Sequence, residues 1–194
     1  MKILARSFYE RDTTIVAREL IGKILIREYE GFILSGKIVE TESYRCDDPA
    51  CHAYRGKTER TQALFGPPGH AYVYFTYGNH WCLNVVAHDE HHAGGVLIRA
   101  LEPLKGIEIM QKNRGIQILK RLASGPGNVA KALAINKAHY GIDMTKKGQL
   151  YVIDNTINSN GVVAVPRIGI SQSKELLLRF CLKSSAYLSV KIAS

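Results

Sequence analysis

Between Tyr72 and Asn84 the chain reads Tyr-Val-Tyr-Phe-Thr-Tyr-Gly-Asn-His-Trp-Cys-Leu-Asn. Two runs rich in aromatic and β-branched residues flank the Gly78-Asn79 pair. Such runs suit a pleated surface, and the pair between them is turn chemistry. The segment predicts a β-hairpin over roughly 71–87 with rings near its tip, which commits this part of the fold to antiparallel sheet. An ordinary hairpin hides its aromatics in a core. On a cationic protein they can instead wedge between or stack on nucleic-acid bases.

This chain is cationic: 26 Lys and Arg stand against 17 Asp and Glu, a net charge of +9 over 194 residues. That excess favours a polyanion, either nucleic acid or an anionic membrane surface. The apolar fraction of 46% suits a folded protein rather than a disordered tail. No segment approaches the ~20 apolar residues of a membrane span, and the first residues lack the shape of a signal peptide. Cys46, Cys51, Cys82 and Cys181 are then expected as reduced thiols, and the expected location is the cytoplasm. In a eukaryote it would be the nucleus.

Elements can be placed around the hairpin. Asp12 is a candidate N-cap for a helix to Gly22 with Ile15, Ala17, Leu20 and Ile21 as its apolar stripe. Residues 23–29 and 32–42 alternate like paired strands. Residues 47–68 are rich in turn formers, and residues 95–102 predict a further strand. A helix is expected from Pro103 to about Leu122, with Ile107, Met110, Ile118 and Leu122 facing the core. A second runs from Pro126 to Ile135. Short strands are expected at 149–153, 162–170, 176–182 and 188–192. The sum is a single α+β domain over 1–194, a curved antiparallel sheet flanked by helices with a protruding hairpin.

Glu40 and Glu42 stand two apart in a strand and so share a face, ~7 Å apart along it. A buried carboxylate pair raises one pKa, and two carboxylates at a sugar are glycoside-cleaving chemistry. The bland alternative is a pair solvated or matched by Lys and Arg. Spacing alone does not say which Glu works. Tyr44, His52, Tyr54, Tyr72, Tyr74 and Tyr77 supply flat rings that could sandwich an extruded base. Core packing is the commoner fate of a strand tyrosine. Arg99 is a charge inside an apolar strand and needs an acid or a phosphate, with Glu102 a ready candidate. Cys46, Cys51, His52, His80 and Cys82 lack the tight spacings of a zinc site, so no metal is expected. Ser124-Gly-Pro-Gly127 lacks the Lys-Ser/Thr of a phosphate loop.

Six ordered segments carry a family resemblance: 38–44 (Ile-Val-Glu-Thr-Glu-Ser-Tyr), 69–78, 81–84 (Trp-Cys-Leu-Asn), 97–103 (Leu-Ile-Arg-Ala-Leu-Glu-Pro), Ser124-Gly-Pro and 132–136 (Ala-Leu-Ala-Ile-Asn). Together they resemble the alkyladenine (3-methyladenine) DNA glycosylase family, the mammalian type with bacterial members. The resemblance implies a monofunctional base-excision enzyme that flips alkylated or deaminated purines from duplex DNA and hydrolyses the N-glycosidic bond. It implies Glu42 as the general base and Arg99 as its partner in holding the water. Tyr44, His52 and Tyr74 would be pocket rings, Asn84 a residue disfavouring the 2-amino group of guanine, and Tyr77 the intercalating wedge. It implies no cofactor, no membrane, and a monomer on double-stranded DNA containing damaged purines. At 79–81 the chain reads Asn-His-Trp where relatives commonly carry Met, then His or Tyr, then an aromatic. Its Arg45–Cys51 loop is one residue shorter than in mammalian relatives.

A two-residue turn at Gly78-Asn79 would pair Tyr74 with Leu83 and send Asn84 to the opposite face. A shared pocket therefore predicts a three-residue turn or a bulge. Two other functions fit the residues less completely: a non-catalytic module that binds damaged DNA, and a nucleosidase acting on free nucleosides.

Overall fold

A computed structural model of the protein describes residues 2–90, 92–155 and 161–192. Among the described residues, eight antiparallel strands form one sheet: β1 (Ile24–Tyr29), β2 (Phe32–Arg45), β3 (Ala71–Thr76), β4 (His80–Val86), β5 (Gly94–Lys105), β6 (Leu150–Ile153), β7 (Val162–Val165) and β8 (Arg179–Leu182). The order is β3-β4-β5-β2-β1-β6, with β8 joined to both β2 and β7. Long β2 organises the sheet. One edge pairs with β5 along its length, while the other pairs first with β1 and then, over Glu40–Glu42, with β8. Where that edge changes partner, the β2–β5 register slips, leaving Val39 and Arg99 out of the ladder. Such irregularities re-aim side chains.

Four α-helices are present among the described residues: α1 (Arg6–Tyr9), α2 (Thr13–Glu19), α3 (Ile107–Arg114) and α4 (Pro126–Ala132). The architecture is α+β, as the alternation and helix signals predict. Asp12 caps α2, its carboxylate accepting from the N–H groups of Thr14 and Ile15. The buried stripe is Val16, Ala17, Leu20 and Ile21, and Ile15 points outward. The one-turn α1 has no sequence signal of its own.

Three expectations are corrected. Strand β5 runs on through Pro103 to Lys105, so the following helix begins at Ile107 and stops at Arg114. Gly115, at φ 70°, ends it, and Ile118 is exposed instead of in the core. Strand β7 ends at Val165 because Pro166 cannot donate to a ladder. Residues 188–192 form no strand.

Strand alternation then sorts the sheet into two faces. Val73, Leu83, Val85, Val96 and Ile98 enter the main core with α2 and α4. Tyr72, Tyr74, Cys82, Asn84, Leu97 and Arg99 line a cleft on the other face.

Candidate active site

The hairpin register runs from Ala71↔Val85 to Thr76↔His80, leaving a three-residue turn, Tyr77-Gly78-Asn79. Tyr72 faces Asn84 and Tyr74 faces Cys82 across the ladder, so Tyr74 and Asn84 share a face, as the parity argument requires. Asn84 is buried at the cleft wall, its amide Nδ2 donating to the Tyr72 carbonyl at 3.3 Å. Gly78 adopts the left-handed region at φ 71°, where glycine is at ease, but Tyr77 does so too at φ 52°.

The cleft is about 610 Å³, room for a nucleobase and its sugar. Tyr72 and Tyr74 stack at 5.3 Å between ring centres, and the His52 ring stands edge-on to Tyr74 at 4.7 Å. His52 Nδ1 lies 2.9 Å from the Tyr72 hydroxyl. His52 as a whole residue remains exposed. Partial desolvation of its ring, and then the nearby Arg60, pull its pKa below the ordinary histidine value, which favours the neutral ring. Burial pushes the Tyr72 phenol up to about 12. Tyr77 is 80% exposed at the hairpin tip and also borders the cleft. Two rings sit elsewhere: Tyr54 lies exposed outside the cleft lining, and Phe75 is 45% exposed, packed on Trp81 instead of the core.

The two glutamates are fully buried, and both reach Arg99. Glu42 Oε2 accepts from the Tyr44 hydroxyl at 2.8 Å and from Arg99 Nη1 at 3.1 Å. Its Oε1 accepts from the Ile168 N–H at 2.8 Å. Tyr44, Arg99 and Ile168 all line the cleft, and Glu42 sits one layer behind them. Burial first, then the Glu42 charge, drive the Tyr44 phenol far above its ordinary pKa, so it remains a donor to the carboxylate. Burial opposes the Arg99 charge, yet Glu42 and Glu40 together hold its pKa above the usual arginine range. Glu102 is not its partner and pairs with Lys37 instead.

Several contributors to the cleft carry no motif of their own in the sequence. The loop after β7 supplies Ile168 and lines the cleft through Gln172. Its Arg167 stacks its guanidinium over the Tyr44 ring at 4.7 Å, donates to the Ser43 carbonyl at 2.9 Å and pairs with Asp48. Pro166 was the available signal that the strand stops and a loop begins. Arg179 pairs with Glu40. The rule that singled out Arg99, a charge within an apolar strand, applies to it equally. Among the described residues, no three His, Cys, Asp or Glu side chains converge as metal ligands do, and no helix is long and apolar enough to cross a membrane.

Comparison with known proteins places the sequence in a lineage. The chain is 50% identical over 190 residues to a protein of Carboxydothermus hydrogenoformans, covering 97% of this chain and 100% of the relative. It is 48% identical to one from Koribacter versatilis (97% and 93% covered) and 45% identical to one from Chlorobaculum tepidum (97% and 91%). All three carry the name "Putative 3-methyladenine DNA glycosylase". The sequence profile described as methylpurine-DNA glycosylase matches residues 7–186. With that match spanning nearly its whole length, the chain belongs to the methylpurine-DNA glycosylase family.

Proposed function

We propose that the whole chain works as one monofunctional DNA glycosylase that flips alkylated or deaminated purines from duplex DNA and hydrolyses their N-glycosidic bond. The observation that carries the reading is Glu42, a buried carboxylate held by three donors directly behind a ring-lined cleft. The net charge of +9 suits the DNA backbone. The exposed Tyr77 suits a wedge that fills the gap left by the flipped base. Extrusion costs a few kcal/mol and is cheapest at a damaged pair, which is itself a source of selectivity.

The chemistry follows from the donor set. Water attacks the anomeric carbon as the carbon–nitrogen bond breaks, and the bonding electron pair leaves with the base. Glu42 takes the proton of the attacking water. Its Oε1 accepts from only one donor among the described residues, so an acceptor position remains for that water. Arg99 helps hold the water and stabilises the carboxylate. Tyr44, Tyr74 and His52 enclose the base, where electron-rich rings attract cationic lesions such as 3-methyladenine. A cationic base leaves readily, whereas a neutral one such as hypoxanthine needs a proton or hydrogen bond as it departs. Asn84 disfavours the guanine 2-amino group. The enzyme acts as a monomer in the cytoplasm, at the nucleoid, with no metal or organic cofactor.

Incubation with duplexes carrying one hypoxanthine, ethenoadenine or 3-methyladenine, followed by abasic-site cleavage, tests the reading. Base release is expected from at least one. Glu42→Gln should slow it at least ~100-fold, the lower range for a lost general base, while keeping lesion binding. Binding without release by the wild type would mark a non-catalytic module and defeat the proposal.

A further inference from the structure

Glu40, the other half of the Glu-x-Glu pair, has no part in the reaction just described, yet it is the better-anchored carboxylate. Its Oε1 accepts from Arg99 Nε at 3.0 Å, Arg179 Nη1 at 3.1 Å and Ser189 Oγ at 2.6 Å. Its Oε2 accepts from the Ser189 N–H at 2.6 Å. Ser189 lies in the C-terminal segment beyond β8, in no helix or strand. The Leu188 carbonyl beside it accepts from Ser124 Oγ at 3.0 Å, which docks the segment just before α4. The same Ser189 hydroxyl accepts from Arg99 Nη2 at 3.3 Å.

The Arg99 guanidinium is therefore divided among three acceptors: Nε on Glu40, Nη2 on Ser189 and Nη1 on Glu42. A guanidinium left to itself favours two parallel bonds to one carboxylate. On Glu42 that arrangement would engage both oxygens. Here two of its three nitrogens are held elsewhere, and Glu42 receives a single bond on Oε2.

We propose that Glu40 and Ser189 are positioning residues that hold Arg99 in single-bonded contact with Glu42, which keeps Glu42 Oε1 for the attacking water. This rests on the hydrolytic reading above. Removing the Ser189 hydroxyl takes one acceptor from Arg99 and one donor from Glu40. The guanidinium is then free to turn onto both oxygens of Glu42 and compete with the water. The C-terminal segment thereby becomes part of the catalytic apparatus.

The test is single-turnover base release and equilibrium binding on one lesion duplex, for wild type, Ser189→Ala, Ser189→Thr, Glu40→Gln and Glu42→Gln. Ser189→Ala should lower the single-turnover rate roughly tenfold, the size of one lost positioning contact, with affinity unchanged. Ser189→Thr, which keeps the hydroxyl, should recover most of that rate. Glu40→Gln should be slowed at least as much. If burying the amide prevents its folding, the two Ser189 variants decide. A Ser189→Ala rate within twofold of wild type, with Glu42→Gln inactive, would overturn this proposal alone. So would parallel losses of rate, affinity and melting temperature, the pattern of a merely structural contact. An inactive wild type would overturn both this and the hydrolytic reading.

Discussion

At the scale of single residues, the site is a set of buried charges that neutralise one another. Glu40 and Glu42 face Arg99 and Arg179, and Asp48 faces Arg167. Each would be costly alone, and pairing with further hydrogen bonds makes burial tolerable. Arg167 keeps two buried nitrogens without a hydrogen-bond partner among the described residues. Its stacking on Tyr44 offsets part of that cost. His139, 3% exposed, is a buried titratable group outside the cleft. Burial, and secondarily Arg27, lower its pKa, and its Nδ1 accepts from the Asn136 N–H at 3.1 Å. The unfolded chain binds the proton more readily, so stability rises with pH and is lost as pH falls through the unfolded value of about 6.5. Melting temperature should drop between pH 7.5 and 5.5, by roughly 2–4 °C per kcal/mol lost. His139→Gln should flatten that slope. An unchanged slope would remove His139 as its source.

At the scale of elements, the β3–β4 hairpin decides most. Its three-residue turn sets a parity that puts Tyr72, Tyr74, Cys82 and Asn84 on the cleft face and Val73 and Leu83 in the core. A slip of one residue would exchange the two sets. The turn also holds Tyr77 at φ 52°, an uncommon conformation that costs stability for a residue with a Cβ. A tyrosine kept there at 80% exposure gains little from packing, its hydroxyl reaching the Gly169 carbonyl at a long 3.5 Å, which accords with a role in contact with DNA. Tyr77→Ala should therefore weaken base flipping, read with a fluorescent base beside the lesion, by roughly tenfold or more. Affinity for undamaged duplex should change far less. Equal losses in both would remove the wedge from the mechanism. The slip that leaves Arg99 out of the β2–β5 ladder is the second deciding feature, because it coincides with the residue that links both glutamates.

At the scale of the whole molecule, the +9 charge argues for binding dominated by phosphate contacts. Lesion-duplex affinity should fall steeply with salt, with a log–log slope of about −0.9 per phosphate neutralised. A slope near zero, with activity on free nucleosides, would point to a nucleosidase. The hairpin, the α2 cap at Asp12, the alternation of β1 and β2 and the shared face of Glu40 and Glu42 were all legible in the sequence. Each depends on residues a few positions apart, and backbone sterics and strand periodicity act at that range. The end of helix α3 is not legible, because its apolar pattern continues past Gly115, where the left-handed backbone stops the helix. The β-rich pattern after Val162 likewise continues past Pro166, where the strand has already ended. Residue order alone specifies an antiparallel hairpin, a cationic α+β protein and a set of chemically able side chains. Packing in three dimensions is what sets Glu42 behind the cleft wall with Ile168 as a donor and ties Glu40 to Ser189, 149 residues away. Buried charges are satisfied by whichever partners the packed chain brings within hydrogen-bonding distance, and no local pattern encodes that convergence.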